Sequence, residues 1–386
     1  MIINYKLSTL SYKYNRKQTF NYLIKNKTGQ ISLIISSDIQ AAFIKFAPSH
    51  YKLIQMGIDK STIAAQLQNN GFLDQEIPKG MNLVEEIKRM KREKNAVILG
   101  HYYIEAELQD ISDFVGDSLA LAQEAARTSA DLIVFVGVHF MAETAKIINP
   151  SKKVILPDLK AGCSLAESAP IEEFRAFKAK YPNHKVISYI NCTADLKTET
   201  DIVCTSSNAV KIVNSFPDDA LLIFGPDKNL GNYINSLTGR NMVLWDGACM
   251  VHEEFSVEKI VKLMDQHPDA EMIAHPECEK PVLLLAKHIG STSSLLSYVQ
   301  TSTAQKFIVA TESGILHQMK KACPDKIFIP APANDSTCAC NDCSYMKLNS
   351  MRKLYLCLKN ELPEITLSPE VIEKARRPIE RMLELS

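Results

Sequence analysis

Short apolar runs rich in Val, Ile, Leu and Phe punctuate the chain from residue 96 onward, each running into a polar loop. The first set is AVILGHYY (from 96), DFVGDSLA (113), LIVFVGVHF (132) and KVILPDLKAGC (153). KVISYINCT (185), DIVCTSSNA (201), LLIFGPDKN (221) and MVLWDGAC (242) form a second set, and EMIAHPEC (271), KHIGSTSSL (287), KFIVATESG (306) and KIFIPAPAND (326) a third. Corresponding runs recur within about five residues of an 87-residue period. Helical patterns such as SLALAQEAART and EEFRAFKAKY lie between them. Continuous apolar runs, as opposed to alternating ones, mark strands covered on both faces, and their alternation with helices marks βαβ units in a parallel sheet. The pattern predicts an α/β protein of three homologous three-layer αβα domains with short parallel sheets in a pseudo-threefold arrangement. The expected extents are 80–180, 181–268 and 269–350, with C-terminal helices over 351–386 packing on the core. The competing reading is a chance alignment of generic α/β segments.

The segment before this pattern differs in kind. Residues 1–55 hold eight Lys/Arg against one acid, Asp38, and lack helical periodicity; an ordinary helical pattern starts at Met56 with MGIDKSTIAAQL. We expect 1–55 to be a basic, poorly ordered appendage. A targeting presequence and an upstream start codon that is not the working one are the two explanations for it, the first weakened by Arg16 being its only arginine.

Composition narrows the function. At 386 residues and 46% hydrophobic, the chain can bury a large core. It contains no apolar run of membrane-spanning length and no secretory signal pattern, so a cytoplasmic protein with no membrane partner is expected. The 44 basic residues equal the 44 acidic ones, which gives a nucleic-acid partner no support and favours small-molecule chemistry. Ten cysteines without a secretory signal point to reduced thiols, some for metal binding or catalysis.

In parallel α/β domains, ligands bind beyond the carboxyl ends of the strands. After the first runs stand His101 and Tyr103, then Tyr189 and Asn191, then His275 and Glu277. After the second come Asp117 and Ser118, Ser206, and Ser291 and Thr292. After the fourth comes a cysteine each time: Cys163, Cys249, and the cluster Cys338, Cys340, Cys343. That cluster lacks the second cysteine pair of a closed zinc site. One cysteine per domain about a pseudo-threefold axis instead makes a three-thiolate site. Three thiolates hold three irons of a 4Fe-4S cluster and leave the fourth without a protein ligand, a Lewis acid for carboxylate or hydroxyl oxygens.

The segments ILGHYY, DFVGDSLALA, GVHFMAETAKI, AGCSLAES, SYINCTADLK, CTSSNAV, GPDKNLG, WDGACMVHEEF, HPEC, GSTSSL, ATESGILH and CSYMKLN, in this order, resemble the quinolinate synthase family from about residue 80 to the C-terminus. The resemblance implies a condensing transferase of de novo NAD biosynthesis that joins iminoaspartate and dihydroxyacetone phosphate into quinolinate, releasing phosphate and water at a 4Fe-4S cluster. It puts the cluster ligands at Cys163, Cys249 and Cys343. Substrate-binding positions fall at His101, Ser118, Tyr189, Ile190, Asn191, Ser206, His275, Pro276, Glu277 and Thr292. A functional link to an L-aspartate oxidising enzyme is also implied.

Each group also has a plainer reading. Cys192, Cys204, Cys323 and Cys357 read as core thiols, and Cys278 is undecided. The Cys340–Cys343 spacing allows a redox pair, although surplus loop thiols are the simpler reading. His50, His184, His267 and His317 read as structural or surface groups, and His139 and His252 as support for the site. His101 and His275 close first strands and can contact carboxylates as imidazolium or as neutral imidazole. Tyr103 and Glu277 are the expected acid/base groups, with His101 beside them. Ser118, Ser206 and Thr292 can ring a substrate with hydroxyls or can cap helices. Three alternative functions share parts of the pattern: a hydro-lyase with an open-iron cluster, a zinc-bearing binding module around CACNDC, and a dinucleotide-binding dehydrogenase. The last lacks the GxGxxG fingerprint.

Overall fold

A computed structural model describes residues 22–25, 31–34, 60–334 and 341–386. The chain divides into two units, Met1–Ala64 and Ala65–Ser386. Within the first, β1 (Tyr22–Lys25) and β2 (Ile31–Ile34) pair antiparallel. Most of the expected 1–55 appendage, including His50, lies outside the described residues. The helical pattern seen from Met56 becomes a helix over Lys60–Asn70.

The second unit contains three parallel four-stranded sheets. The first comprises β3 (Ala96–His101), β4 (Phe114–Gly116), β5 (Leu132–Val136) and β6 (Lys153–Ile155). The second comprises β7 (Lys185–Tyr189), β8 (Ile202–Cys204), β9 (Leu222–Gly225) and β10 (Val243–Leu244). The third comprises β11 (Glu271–Ala274), β12 (His288–Ile289), β13 (Lys306–Ala310) and β14 (Ile327–Pro330). Each runs in the same spatial order: β4-β3-β5-β6, β8-β7-β9-β10 and β12-β11-β13-β14. All twelve runs thus become strands, in three αβα domains about a pseudo-threefold axis. In each sheet the connection direction reverses between the first and third strands, which opens a crevice at their carboxyl ends.

The middles of the central strands are mostly apolar because helices cover both faces. All five residues of β5 are buried, as are Ile187, Phe224, Phe307 and Ile308; each large side chain taken fully out of water contributes about 1.5–3 kcal/mol. The first two domains share one continuous core with the helices Met351–Asn360 and Pro369–Glu384, which insert Leu354, Leu356, Leu358, Ile379 and Met382. The third domain has its own core on each face of its sheet, around Ile260, Met272 and Ile308 on one side and Leu295, Val299 and Phe307 on the other. Gly314 sets the approach of the third domain to the first. A Cβ there would stand 2.8 Å from both Tyr102 O and Tyr103 Cα, and its own carbonyl accepts Gln109 Nε2 at 3.0 Å.

Candidate active site

A cleft of about 700 Å³ lies where the carboxyl ends of the three sheets meet. Its lining takes His101, Tyr103 and Ser118 from the first domain, Tyr189, Asn191 and Ser206 from the second, and His275, Glu277 and Thr292 from the third. Cys163, Cys249 and Cys343 face the same space. Two of the expected site residues do not line it. Ile190 packs into the core and Pro276 is buried.

Capping explains why the hydroxyls at the second strand ends are free to face the cleft. The helix Ser118–Arg127 is capped by Asp117, which accepts Ala120 N at 3.0 Å, and the helix Thr292–Thr301 by Ser291, which accepts Ser294 N at 3.2 Å. Ser118 and Thr292 are therefore first helical residues whose side chains are not spent on capping. Ser206 instead meets His275 Nε2 at 3.2 Å.

Burial disfavours the charged form of His101 and His275. Burial pushes His101 down to about 4 and His275 to about 3, and neighbouring carboxylates only partly oppose it, so the imidazolium reading is set aside. His101 Nδ1 accepts Tyr103 N at 3.2 Å and His275 Nδ1 accepts Glu277 N at 3.4 Å. In both rings the proton is therefore assigned to Nε2. His101 offers that N–H to the cleft; His275 directs its own toward Ser206.

A row of polar side chains joins the domains across the floor. Tyr103 Oη lies 2.8 Å from both Thr292 Oγ1 and Thr311 Oγ1. Thr311 Oγ1 lies 3.0 Å from His252 Nε2. His252 Nδ1 stands 3.0 Å from Glu277 Oε2, at ion-pair distance but off the line of a regular hydrogen bond, and Tyr189 Oη donates to Glu277 Oε1 at 2.5 Å. Burial opposes ionisation of Glu277, but His252, His275 and the Tyr189 hydroxyl outweigh it and hold the carboxyl down to about 2. Burial and the Glu277 charge raise both tyrosines well above the usual phenol range. Glu277 is thus an acceptor for the Tyr189 hydroxyl.

The thiols are in a different state. Cys163, Cys249 and Cys343 are free and half-buried. Enclosure raises Cys163 to about 12, with Cys343 and Glu277 adding to the shift; Cys249 is also raised, by burial and then by Glu277 and Cys163. Backbone N–H groups act the other way, from Ala166 and Leu165 on Cys163, His252 on Cys249, and Met346 and Tyr345 on Cys343. Three thiols that line one cleft, are favoured as thiolates by backbone N–H groups and remain unpaired suit a soft, positively charged metal group. Cys249, His252 and Glu277 also form a candidate three-ligand metal site, with donor atoms within 4.8 Å of one another.

Among the lining residues that the strand-end reasoning did not name are His252 and Glu312. His252 was expected only to support the site, yet it faces the cleft and is fully buried; it stands three residues after Cys249 in the one-turn helix Met250–Glu253, on the same side. Glu312 follows β13, an end of the third-strand class that the sequence reading passed over. It accepts Cys343 N at 3.1 Å and pairs with Lys347 at 3.1 Å, and burial lifts it to about 7 against the pull of Lys347.

Elsewhere, Cys192, Cys204 and Cys357 are core thiols as expected. Cys278 joins them, its Sγ–H directed at Ala310 O. Cys323 is half-buried at a helix end, not in the core. His139 is partly exposed, 3.5 Å from Glu143 and outside the cleft lining. Cys338 and Cys340 lie outside the described residues. Among the described residues no helix is long and apolar enough to cross a membrane.

Residues 85–384 match the family described as "Quinolinate synthetase A protein". The chain is 60% identical over 305 residues to the "Quinolinate synthase" of Microcystis aeruginosa (strain NIES-843 / IAM M-2473), covering 79% of this chain and 95% of the relative. It is 57% identical over 326 residues to the "Quinolinate synthase" of Nostoc punctiforme (strain ATCC 29133 / PCC 73102), covering 84% and 99%.

Proposed function

Because the chain belongs to the quinolinate synthetase A family, we propose that it condenses iminoaspartate with dihydroxyacetone phosphate to quinolinate, releasing phosphate and water, in de novo NAD biosynthesis. The observation that carries this reading is the meeting of three free cysteines, one from each repeat, with a neutral-donor and carboxylate wall in one cleft. Cys163, Cys249 and Cys343 would hold a 4Fe-4S cluster that supplies, when bound, an iron open to substrate oxygens as a Lewis acid.

The side chains divide the remaining work. The His101 Nε2–H and the hydroxyls of Ser118 and Ser206 are donors for carboxylate and phosphate oxygens. The N-termini of the helices at Ser118 and Thr292 favour the same anions. Glu277, ionised at neutral pH, is the base that receives a proton at a carboxylate oxygen. Tyr103 and Tyr189 remain protonated donors at their hydroxyl oxygens. The Thr292 and Thr311 hydroxyls hold the Tyr103 hydroxyl in place between them.

A second reading is a single metal ion on Cys249, His252 and Glu277, favoured by the closeness of their donor atoms. Anaerobic purification followed by iron, sulfide and quinolinate assays separates the two. About four irons and four sulfides per chain, with quinolinate formed from the two substrates, are expected. One metal without sulfide supports the second reading, and absence of quinolinate refutes the proposed activity.

A further inference from the structure

The turn that presents Asn191 is held from beneath by a residue outside the roles above. Cys192 N donates to Ile190 O at 2.8 Å, closing a three-residue turn with Asn191 at its tip, and Ile190 N is tied to Cys204 O at 2.8 Å. Asn191 lines the cleft, and its Oδ1 is buried with no hydrogen-bond partner. An acceptor left in that condition gains a partner when a ligand brings an N–H or O–H to it.

Lys197 lies under this turn with its side chain completely enclosed. Its Nζ donates to both carbonyls that flank Asn191, Ile190 O at 3.1 Å and Cys192 O at 2.5 Å. It also sits 5.5 Å from the centre of the Phe140 ring. Glu143 of the first domain braces the other side by accepting Ala194 N at 2.9 Å. Enclosing an ammonium group is unfavourable, and an apolar residue of the same shape often serves stability as well or better. The acceptors here are main-chain carbonyls, not a carboxylate, so the contacts constrain the turn itself.

We propose that Lys197 is a positioning residue: by gripping the Ile190 and Cys192 carbonyls it sets the turn so that the Asn191 amide faces the cleft ready for an N–H or O–H of the substrate. This rests on the cleft being the substrate site. The test compares the cluster-loaded enzyme with its Lys197→Met, Asn191→Ala and doubly substituted forms, measuring KM for each substrate, kcat, melting temperature and quinolinate binding by calorimetry. Lys197→Met is expected to melt at an unchanged or higher temperature, to raise KM for one substrate about tenfold and to change kcat by less than about threefold. Asn191→Ala should raise the same KM, and adding Lys197→Met to it should have little further effect, because both act through one contact. Should Lys197→Met not fold, Lys197→Gln keeps one donor and should show a smaller rise in the same KM. Unchanged KM in a Lys197 variant, unchanged KM in Asn191→Ala, or effects that multiply in the double variant would overturn the inference. Failure of the unsubstituted enzyme to form quinolinate would instead overturn the functional reading.

Discussion

The two walls of the cleft are built on opposite plans. On one, Tyr103, Thr292, Thr311, His252, Glu277 and Tyr189 form a row of close polar contacts across all three domains. On the other, three thiols stand on loops beyond the outermost strands, favoured as thiolates by backbone N–H groups and, at Cys343 alone, by the nearby Lys347 ammonium as well. The first wall is joined by contacts among its own side chains, whereas burial disfavours the charged form of the three thiols on the second. The groups proposed to move protons are thus fixed by side-chain contacts, and the thiols proposed to hold a metal are left unpaired.

The largest effect on this contrast should come from Glu277→Gln, which keeps the shape of the row but removes its charge and base. Turnover is expected to fall by about 100-fold or more while the metal content stays near that of the unsubstituted enzyme; single-turnover assays on loaded protein measure it. Tyr103→Phe should also lower turnover with the metal retained. Less severe is Thr311→Val, which deletes the hydroxyl between Tyr103 and His252. It should cost about tenfold in turnover and about 1–3 kcal/mol of stability by leaving buried polar partners unmatched. Recovery in Thr311→Ser would show that the hydroxyl matters more than the bulk.

Acid should loosen the fold through the same wall. His101 and His275 are depressed to about 4 and about 3 from a usual value near 6.5, so between those values the unfolded chain binds more protons than the folded one. Stability is therefore fully present above about pH 6.5 and declines as the pH falls toward 4 and then 3. Denaturant unfolding at pH 7, 5.5 and 4 tests this, and His275→Asn should flatten the profile. The smallest effect is expected at the N-terminus. Deleting residues 1–55 should leave activity nearly unchanged, since the cleft is lined entirely by residues between His101 and Met346.

The contrast also explains what the sequence made legible. The 87-residue repeat predicts all twelve strands, because strands covered on both faces must be continuously apolar, and strand ends then point to His101, Tyr189, His275 and the cysteines. Thr311 and His252 join the row through contacts between domains that no local spacing encodes. Glu312 follows a strand end of a class the repeat contained but the reading passed over. Ile190 and Pro276 sit inside recognisable segments, yet both are buried and neither lines the cleft. Lys197 reads in sequence as an ordinary helix lysine, and only tertiary packing reveals its enclosure.

The most direct test of the central claim, that one thiol from each domain serves a single metal group, is iron and acid-labile sulfide analysis of anaerobically isolated protein beside its single cysteine variants. Cys163→Ser, Cys249→Ser and Cys343→Ser should each lose the iron and sulfide, whereas Cys338→Ser and Cys340→Ser should keep them. A Cys249→Ser protein that retains its full iron and sulfide, or loss of both on changing Cys338 or Cys340, would contradict the account.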